Sequence, residues 1–309
     1  MPPPSPLLWG WRGHRIGWVR EGSPASPCAV VLIHGFGANW RHWRHNIPVL
    51  ADAAEVFAID LLGFGSSAKP PSQLRGEGQR PGSVQYGFAL WAELLADFVQ
   101  EKVFWGTQDR TVILVGNSIG GVVALAAAKR LSERGTPPQQ VILIDCAQRT
   151  LDEKRIHELP YLQRLTRPFL KRMVQQRWLT TSLFRFFARP PYIRRVLAVA
   201  YPTGAHVDDA LVDLLYQPST DPGAPESFRG FVNLFSDMLA PDLLADLQVP
   251  VRMIWGSRDP WESTAEAQRW AREFSSIREL RVLEGLGHCP HDEAPEKVNP
   301  ILLEWLKVR

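Results

Sequence analysis

Thr111-Val112-Ile113-Leu114-Val115-Gly116-Asn117-Ser118-Ile119-Gly120-Gly121 reads as a buried strand, a sharp turn and the start of a helix, with a serine at the apex. The small-residue stretch Gly121 to Lys129 continues the helical pattern. A turn that tight strains the serine backbone, lifts the hydroxyl above the sheet and points the positive end of a helix at the reacting oxygen. Gly116 and Gly120 flank it because a Cβ at either place would strike the strand or the helix. Chance alone would supply G-x-S-x-G about 0.1 times in a chain of this composition, so the weight rests on the strand and helix around it.

Working outward, further apolar runs recur at Arg15 to Val19, Ala29 to Ile33, Val56 to Ile59, Val141 to Ile144, Val251 to Ile254 and Leu280 to Leu283. Their apolarity is continuous rather than alternating, as in strands covered on both faces. Helical patterns at Phe88 to Val103, Val122 to Leu131 and Pro300 to Val308 fill the gaps. Alternating strands and helices predict a mostly parallel sheet with helices on both faces and an antiparallel edge made by the first strands. One interval breaks the rhythm. Between Thr150 and about Asp246 no convincing strand occurs, only proline-punctuated helical stretches, which predicts a helical cap over 150–246 inserted into a core of 1–149 and 247–309. Gln73 to Ser83 reads as a mobile Gly/Arg/Pro loop.

A serine hydroxyl needs an imidazole to take its proton and an acid to orient that imidazole. His288, in Gly285-Leu286-Gly287-His288-Cys289, follows the last strand, and Asp259, in Gly256-Ser257-Arg258-Asp259-Pro260-Trp261, follows the one before it. Both then lie at strand C-terminal ends, where open α/β sheets place their ligands. Asp145, which ends an earlier strand, is the rival acid, and Asp292 reads as a helix cap. The turn His34-Gly35-Phe36-Gly37 offers the amide of Phe36, and the residue after the serine offers the amide of Ile119; such donors are typically worth about 3 kcal/mol each to an oxyanion. Asp60 to Ser67, after the third expected strand, reads as the pocket floor.

Other chemistries find little support. Gly35-Phe36-Gly37 and Gly63-Phe64-Gly65 lack the third glycine of a dinucleotide fingerprint, so no organic cofactor is expected. His42, His45, His288 and His291 have no carboxylate or cysteine set beside them, so no metal is expected. Cys28, Cys146 and Cys289 are too few and too scattered for a disulfide framework, and a reducing interior is the natural compartment. The first residues show no signal-peptide pattern, and no stretch is apolar for long enough to span a bilayer. A net charge of +3 is too small to argue for nucleic acid. Its distribution says more. From Arg149 to Pro202 twelve Lys/Arg stand against three acids, interleaved with Tyr161, Phe169, Trp178, Phe184, Phe186, Phe187 and Tyr192. Two readings stay open: helices resting on an anionic bilayer, or a cap with its own small core and a solvated outer face. In either case the inner surface of the cap should be apolar.

Together these motifs resemble the α/β-hydrolase superfamily. More narrowly, the phrases at 115–121, 255–261 and 287–295, with Asp221-Pro222-Gly223-Ala224, are similar to the branch of esterases that contains pheophytinase and chlorophyll dephytylase. The resemblance implies a Ser118, Asp259, His288 triad and cleavage of a bulky lipophilic ester such as the phytyl ester of a chlorophyll-type pigment. It also implies a cytoplasmic protein that works at the surface of an internal photosynthetic membrane. Serine rather than aspartate at 118 sets the chain apart from the similar haloalkane dehalogenases and epoxide hydrolases. Thioesterases and C–C bond hydrolases use the same scaffold, and a non-catalytic binding protein could retain it.

Overall fold

The protein is described from a computed structural model that covers residues 5–104 and 110–307. Val308, the expected last residue of the closing helix, lies outside the described residues. Among those described, one sheet holds eight strands: β1 (Leu7–Trp11), β2 (His14–Glu21), β3 (Cys28–Ile33), β4 (Glu55–Ile59), β5 (Thr111–Asn117), β6 (Gln140–Ile144), β7 (Val251–Gly256) and β8 (Ile277–Leu283). Their order is β1-β2-β4-β3-β5-β6-β7-β8. Pairings β1/β2 and β2/β4 are antiparallel, and all others are parallel. The expected antiparallel edge is therefore present, with one strand more than the apolar runs showed. In β1 only Trp9 and Trp11 are buried, so its signal is an alternation of period two within Leu7-Leu8-Trp9-Gly10-Trp11.

Period two also sorts the central strands onto two cores. Val30, Leu32, Val56, Ile113, Val115, Ile142 and Ile144 face α1 (Ile47–Ala51) and the closing helix, while Val31, Ile33, Phe57, Leu114 and Leu143 face α2 (Phe88–Phe98) and α3 (Ile119–Glu133). Helix α3 is packed so tightly that Val122 to Ala128 are all buried. That explains its run of alanines, since larger side chains would hold it off the sheet.

Between β6 and β7 the regular elements are all helical: a 3₁₀ turn at Glu153–Glu158, then α4 (Tyr161–Gln175), α5 (Arg177–Phe187), α6 (Pro190–Ala200), α7 (Asp209–Tyr216), α8 (Ala224–Val232) and α9 (Ala240–Leu244). The chain ends with α10 (Thr264–Glu273), α11 (Pro290–Glu293) and α12 (Pro295–Leu306). The inserted helices lie over the loops that leave the strand C-terminal ends. Phe36, after β3, stacks on Phe231 of α8 with ring centroids 3.9 Å apart, and His288 N–H donates to Ala200 O at the end of α6 at 2.9 Å.

The segment Gln73 to Ser83, expected to be mobile, is tied down at one central ion pair. Arg229 of α8, almost wholly buried, donates to both carboxylate oxygens of Glu77 (2.5 and 3.2 Å), to Ser72 Oγ (3.1 Å) and to Gln175 O at the end of α4 (2.8 Å). Those hydrogen bonds hold the Glu77 carboxyl down at about 2. The pair's stabilisation is present above the usual carboxylate value of 4.5 and is lost as pH falls through 2. One guanidinium thus locks the loop, α4 and α8 together. Arg229→Ala should lower the unfolding free energy by about 3 kcal/mol, because Ser72, Gln175 and Glu77 lose a shared donor. Urea unfolding checks this, and a change below about 0.5 kcal/mol would show that the tether is incidental.

Candidate active site

Register places the candidate residues before any side chain is considered. Ile33 pairs with Gly116, Asn117 with Ile144, Ile144 with Ile254 and Gly256 with Leu283. The strands are parallel, so the loops bearing Phe36, Ser118, Asp145, Asp259 and His288 all leave from one edge of the sheet.

Ser118 has φ +56° and ψ −123°, a strained backbone for a residue with a side chain. The turn is held by Ser118 N–H to Ile144 O (3.0 Å) and by Ala147 N–H to Ser118 O (3.1 Å). Its glycines are required by close approach: a Cβ on Gly116 would sit 2.2 Å from Gly120 O, and one on Gly120 would sit 2.4 Å from Ile33 O. The loop after β3 rests on the same turn, since a Cβ on Gly35 would come within 3.1 Å of Ser118 Cβ. Two backbone donors nearby are unclaimed. Ile119 opens α3, where the first amides have no intrahelical acceptor, and the amide of Phe36 donates to no described group. His34 shapes that loop from beneath. Its ring accepts from Leu61 N–H at Nε2 (3.1 Å) and donates from Nδ1 to Gly35 O (2.7 Å), an assignment of the tautomer from its partners.

Asp259 and His288 come together: Nδ1 lies 2.7 Å from Oδ2. The other carboxylate oxygen of Asp259 accepts from Trp261 N–H (2.8 Å) and Glu262 N–H (3.1 Å), so this residue also folds its own turn. Burial alone would raise its carboxyl, but the hydrogen bond and charge of His288 outweigh burial and hold it below the usual range. The ring is boxed by Trp261, edge-on at 4.8 Å. Asn117, which the motif leaves as an arbitrary residue, donates to both Ile144 O and His288 O at 3.1 Å, and so ties the histidine loop to the residue before Ser118. Ser118 Oγ itself makes no hydrogen bond among the described residues. In unliganded sites such contacts often close only when substrate arrives.

Asp292 is not a helix cap. It is buried, takes the Arg44 guanidinium at 2.9 Å and Tyr201 Oη at 3.0 Å, and so anchors the segment after His288 to the inserted helices.

Asp145 is not apart from the site either. It is fully buried with φ +43°, its Oδ1 accepts from Gly256 N–H (2.9 Å), and its Oδ2 has no conventional partner. One ligating atom from each of Asp145, Asp259 and His288 falls within 4.8 Å of the others. Two buried carboxylates that close cannot both ionise. Burial first, and then the charge of Asp259, push Asp145 far above the carboxylate range, which favours its neutral form beside Asp259. A metal ion here would have to displace the hydrogen bond between Asp259 and His288.

The profile described as the alpha/beta hydrolase family matches residues 30–301. The chain belongs to the alpha/beta hydrolase family. It is 23% identical over 300 residues to epoxide hydrolase 3 of Xenopus tropicalis, with 96% of this chain and 75% of that one covered. To the chloroplastic pheophytinase of Arabidopsis thaliana it is 25% identical, covering 90% of this chain and 61% of that one. The solved CarC enzyme, a serine hydrolase involved in carbazole degradation, superposes with a TM-score of 0.74 at 19% identity over 98% of this chain and 99% of its own. That likeness is one of fold.

Glu262 completes the acidic surroundings of this hydrolase's histidine. Its carboxyl turns inward onto Gln148 N–H at 2.8 Å, and burial pushes it up to about 7 from the usual 4.5. A raised value means that its contribution to stability is full below about 4.5 and is lost as pH rises through 7. Replacing it with a neutral amide should flatten that slope. Between pH 4.5 and about 8, wild type should lose about 3 kcal/mol relative to Glu262→Gln in denaturant titrations, and equal slopes would contradict the assignment.

Proposed function

We propose that this alpha/beta hydrolase is a serine carboxylic-ester hydrolase for bulky lipophilic esters, with the phytyl ester of a chlorophyll-type pigment as its candidate substrate. The observation that carries the reading is a serine, not a carboxylate, at the strained apex, beside unclaimed amides of Phe36 and Ile119 and a histidine already oriented by Asp259. Ser118 Oγ forms a bond to the ester carbonyl carbon while its proton passes to His288 Nε2. The carbonyl oxygen becomes an oxyanion held by the two amides. Collapse expels the alcohol, which takes the proton from His288, and leaves an acyl group on Ser118. Water then repeats the sequence, giving its proton to His288 and releasing the acid. Asp259 keeps the histidine tautomer with Nε2 free, and neutral Asp145 supports Asp259 without adding a second charge.

The reading of a lipophilic substrate is supported by the surroundings of Phe36. A cavity of about 50 Å³ beside it is lined by Phe64, Phe184, Leu215 and Phe228. It is too small for a long alcohol or a pigment ring, so such a substrate requires α5 and α8 to part. A wider concavity of about 650 Å³, near Asn39, Arg41 and Asp221, has none of the proposed catalytic side chains in its wall. Pheophytinase among the relatives points the same way. The epoxide hydrolase similarity does not, because the resemblance implies an aspartate nucleophile where this chain has Ser118.

A fluorophosphonate probe should label wild type at Ser118 and spare Ser118→Ala, whose ester turnover should fall at least about 10³-fold. Folded wild type that resists labelling would refute the catalytic role. In a panel of chlorophyll, pheophytin and short acyl esters, the phytyl esters should be cleaved; turnover confined to short soluble esters would refute the pigment assignment. Asp145→Asn tests the neutral acid. With no charge removed, the acidic limb of kcat/KM against pH should keep its position, whereas an ionised Asp145 would shift it downward by about one unit.

A further inference from the structure

Helix α4 is turned inside out relative to an ordinary surface helix. Arg167 is buried with its guanidinium 5.5 Å from the Phe235 ring, and Lys171 pairs with Glu153 and lies 5.1 Å from the same ring. These basic residues face the protein. The apolar face is left outside: Leu162 is 74% exposed, Leu165 59% and Phe169 67%, and Trp178 at the start of α5 is 69% exposed. Leu165, Phe169 and Arg172 follow at i, i+4 and i+7, so an exposed arginine flanks the apolar stripe. An amphipathic helix normally buries that stripe against its own protein. A second apolar tip lies at the α5–α6 turn, where Phe186 and Phe187 are exposed and pack against Tyr192.

Charge says what covers these faces. Residues 161–200 hold nine Lys/Arg and no Asp or Glu. The whole chain has 35 Lys/Arg against 32 Asp/Glu, so the remainder has 26 against 32 and is net negative by six. The positive excess is therefore confined to three helices on a negative body. Arg172, Arg185, Arg189 and Arg195 pair with no carboxylate among the described residues. Aromatic and aliphatic side chains interleaved with unpaired arginines fit the interface of an anionic bilayer, where the apolar groups enter the acyl boundary and the guanidiniums meet lipid phosphates. A second copy of the chain fits poorly, because a two-fold contact would bring these basic helices against each other.

We infer that α4 and the α5–α6 turn form a docking face for an anionic lipid surface. No helix among the described residues is long and apolar enough to cross a membrane, so the contact is peripheral. The inference does not depend on the reaction, but it bears on how a lipophilic molecule would arrive. Phe184 of α5 lines the cavity beside Phe36 while Trp178 of the same helix is exposed, so a bilayer touching α5 touches a wall of that cavity. On a negative body the field is dipolar, and the protein would approach the surface with these helices leading.

Vesicle flotation of the full chain tests this, with phosphatidylcholine alone and with phosphatidylglycerol added. Wild type should float with the anionic vesicles only, and less as salt rises. Leu165→Glu/Phe169→Glu should reduce partitioning at least about tenfold, and Arg172→Gln and Arg189→Gln should each reduce it about fivefold. All four sites are exposed, so circular dichroism and thermal unfolding should remain as in wild type. The inference is overturned if wild type ignores anionic vesicles at low salt or if the Leu165→Glu/Phe169→Glu protein floats as wild type does. It is also overturned if sedimentation shows a wild-type dimer that this variant dissociates, which would give the face to a second copy.

Discussion

Parallel register is the constraint on which the rest depends. With β3, β5, β6, β7 and β8 running the same way, every loop that bears a candidate residue leaves from one edge, although Phe36 and His288 are more than 250 positions apart in sequence. Parallel strands need long crossovers, and those crossovers bury the sheet on both faces, which is why the central strands are apolar throughout. The same edge concentrates cost. A serine at positive φ and two buried carboxylates side by side are tolerated only because the surrounding packing determines them. Asp145 shows the logic: its backbone and Oδ1 are fixed by β7 through Ile254 O and Gly256 N–H, so it meets Asp259 as a neutral group rather than as a repelling charge.

Much of this was legible in the residues. The strand-turn-helix around Ser118 is encoded by local sterics, which a linear sequence displays directly, and Asp259 and His288 could be found because each follows an apolar run by a few residues. The parts that could not be read depend on contacts between distant segments. Asn117 occupies a variable position of its motif, and only the fold shows its amide reaching the His288 loop. Asp292 looks like a cap until Arg44 and Tyr201 arrive from elsewhere. Gln73 to Ser83 has the composition of a mobile loop, and its anchor, Arg229, lies about 150 residues downstream. In β1 the tryptophans alternate within a short segment, and a search for continuous apolar runs passes over such a pattern.

The inserted helices carry the opposite lesson. Their composition allowed an apolar inner surface, and α5 and α8 supply one at Phe184, Phe228 and Phe231 around Phe36. Helix α4 departs from it by burying cations and exposing leucines. Amphipathicity gives the two faces of a helix but not which of them meets the protein; that choice was made by Glu153 and Phe235, which offer α4 a carboxylate and a ring. The cavity beside Phe36 is narrow, so under the proposed function a long substrate needs α5 and α8 to part, while Arg229 ties α8 to the end of α4.

The central claim is that Ser118, His288, Asp259 and two backbone amides form one acyl-transfer centre. A crystal structure of the chain after reaction with a long-chain alkylphosphonate tests it most directly. The account predicts phosphorus bonded to Ser118 Oγ, a phosphoryl oxygen about 3 Å from the amides of Phe36 and Ile119, and His288 Nε2 in hydrogen-bond reach of the ester oxygens. A phosphonate attached elsewhere, or one on Ser118 with its oxygen turned away from both amides, would contradict it.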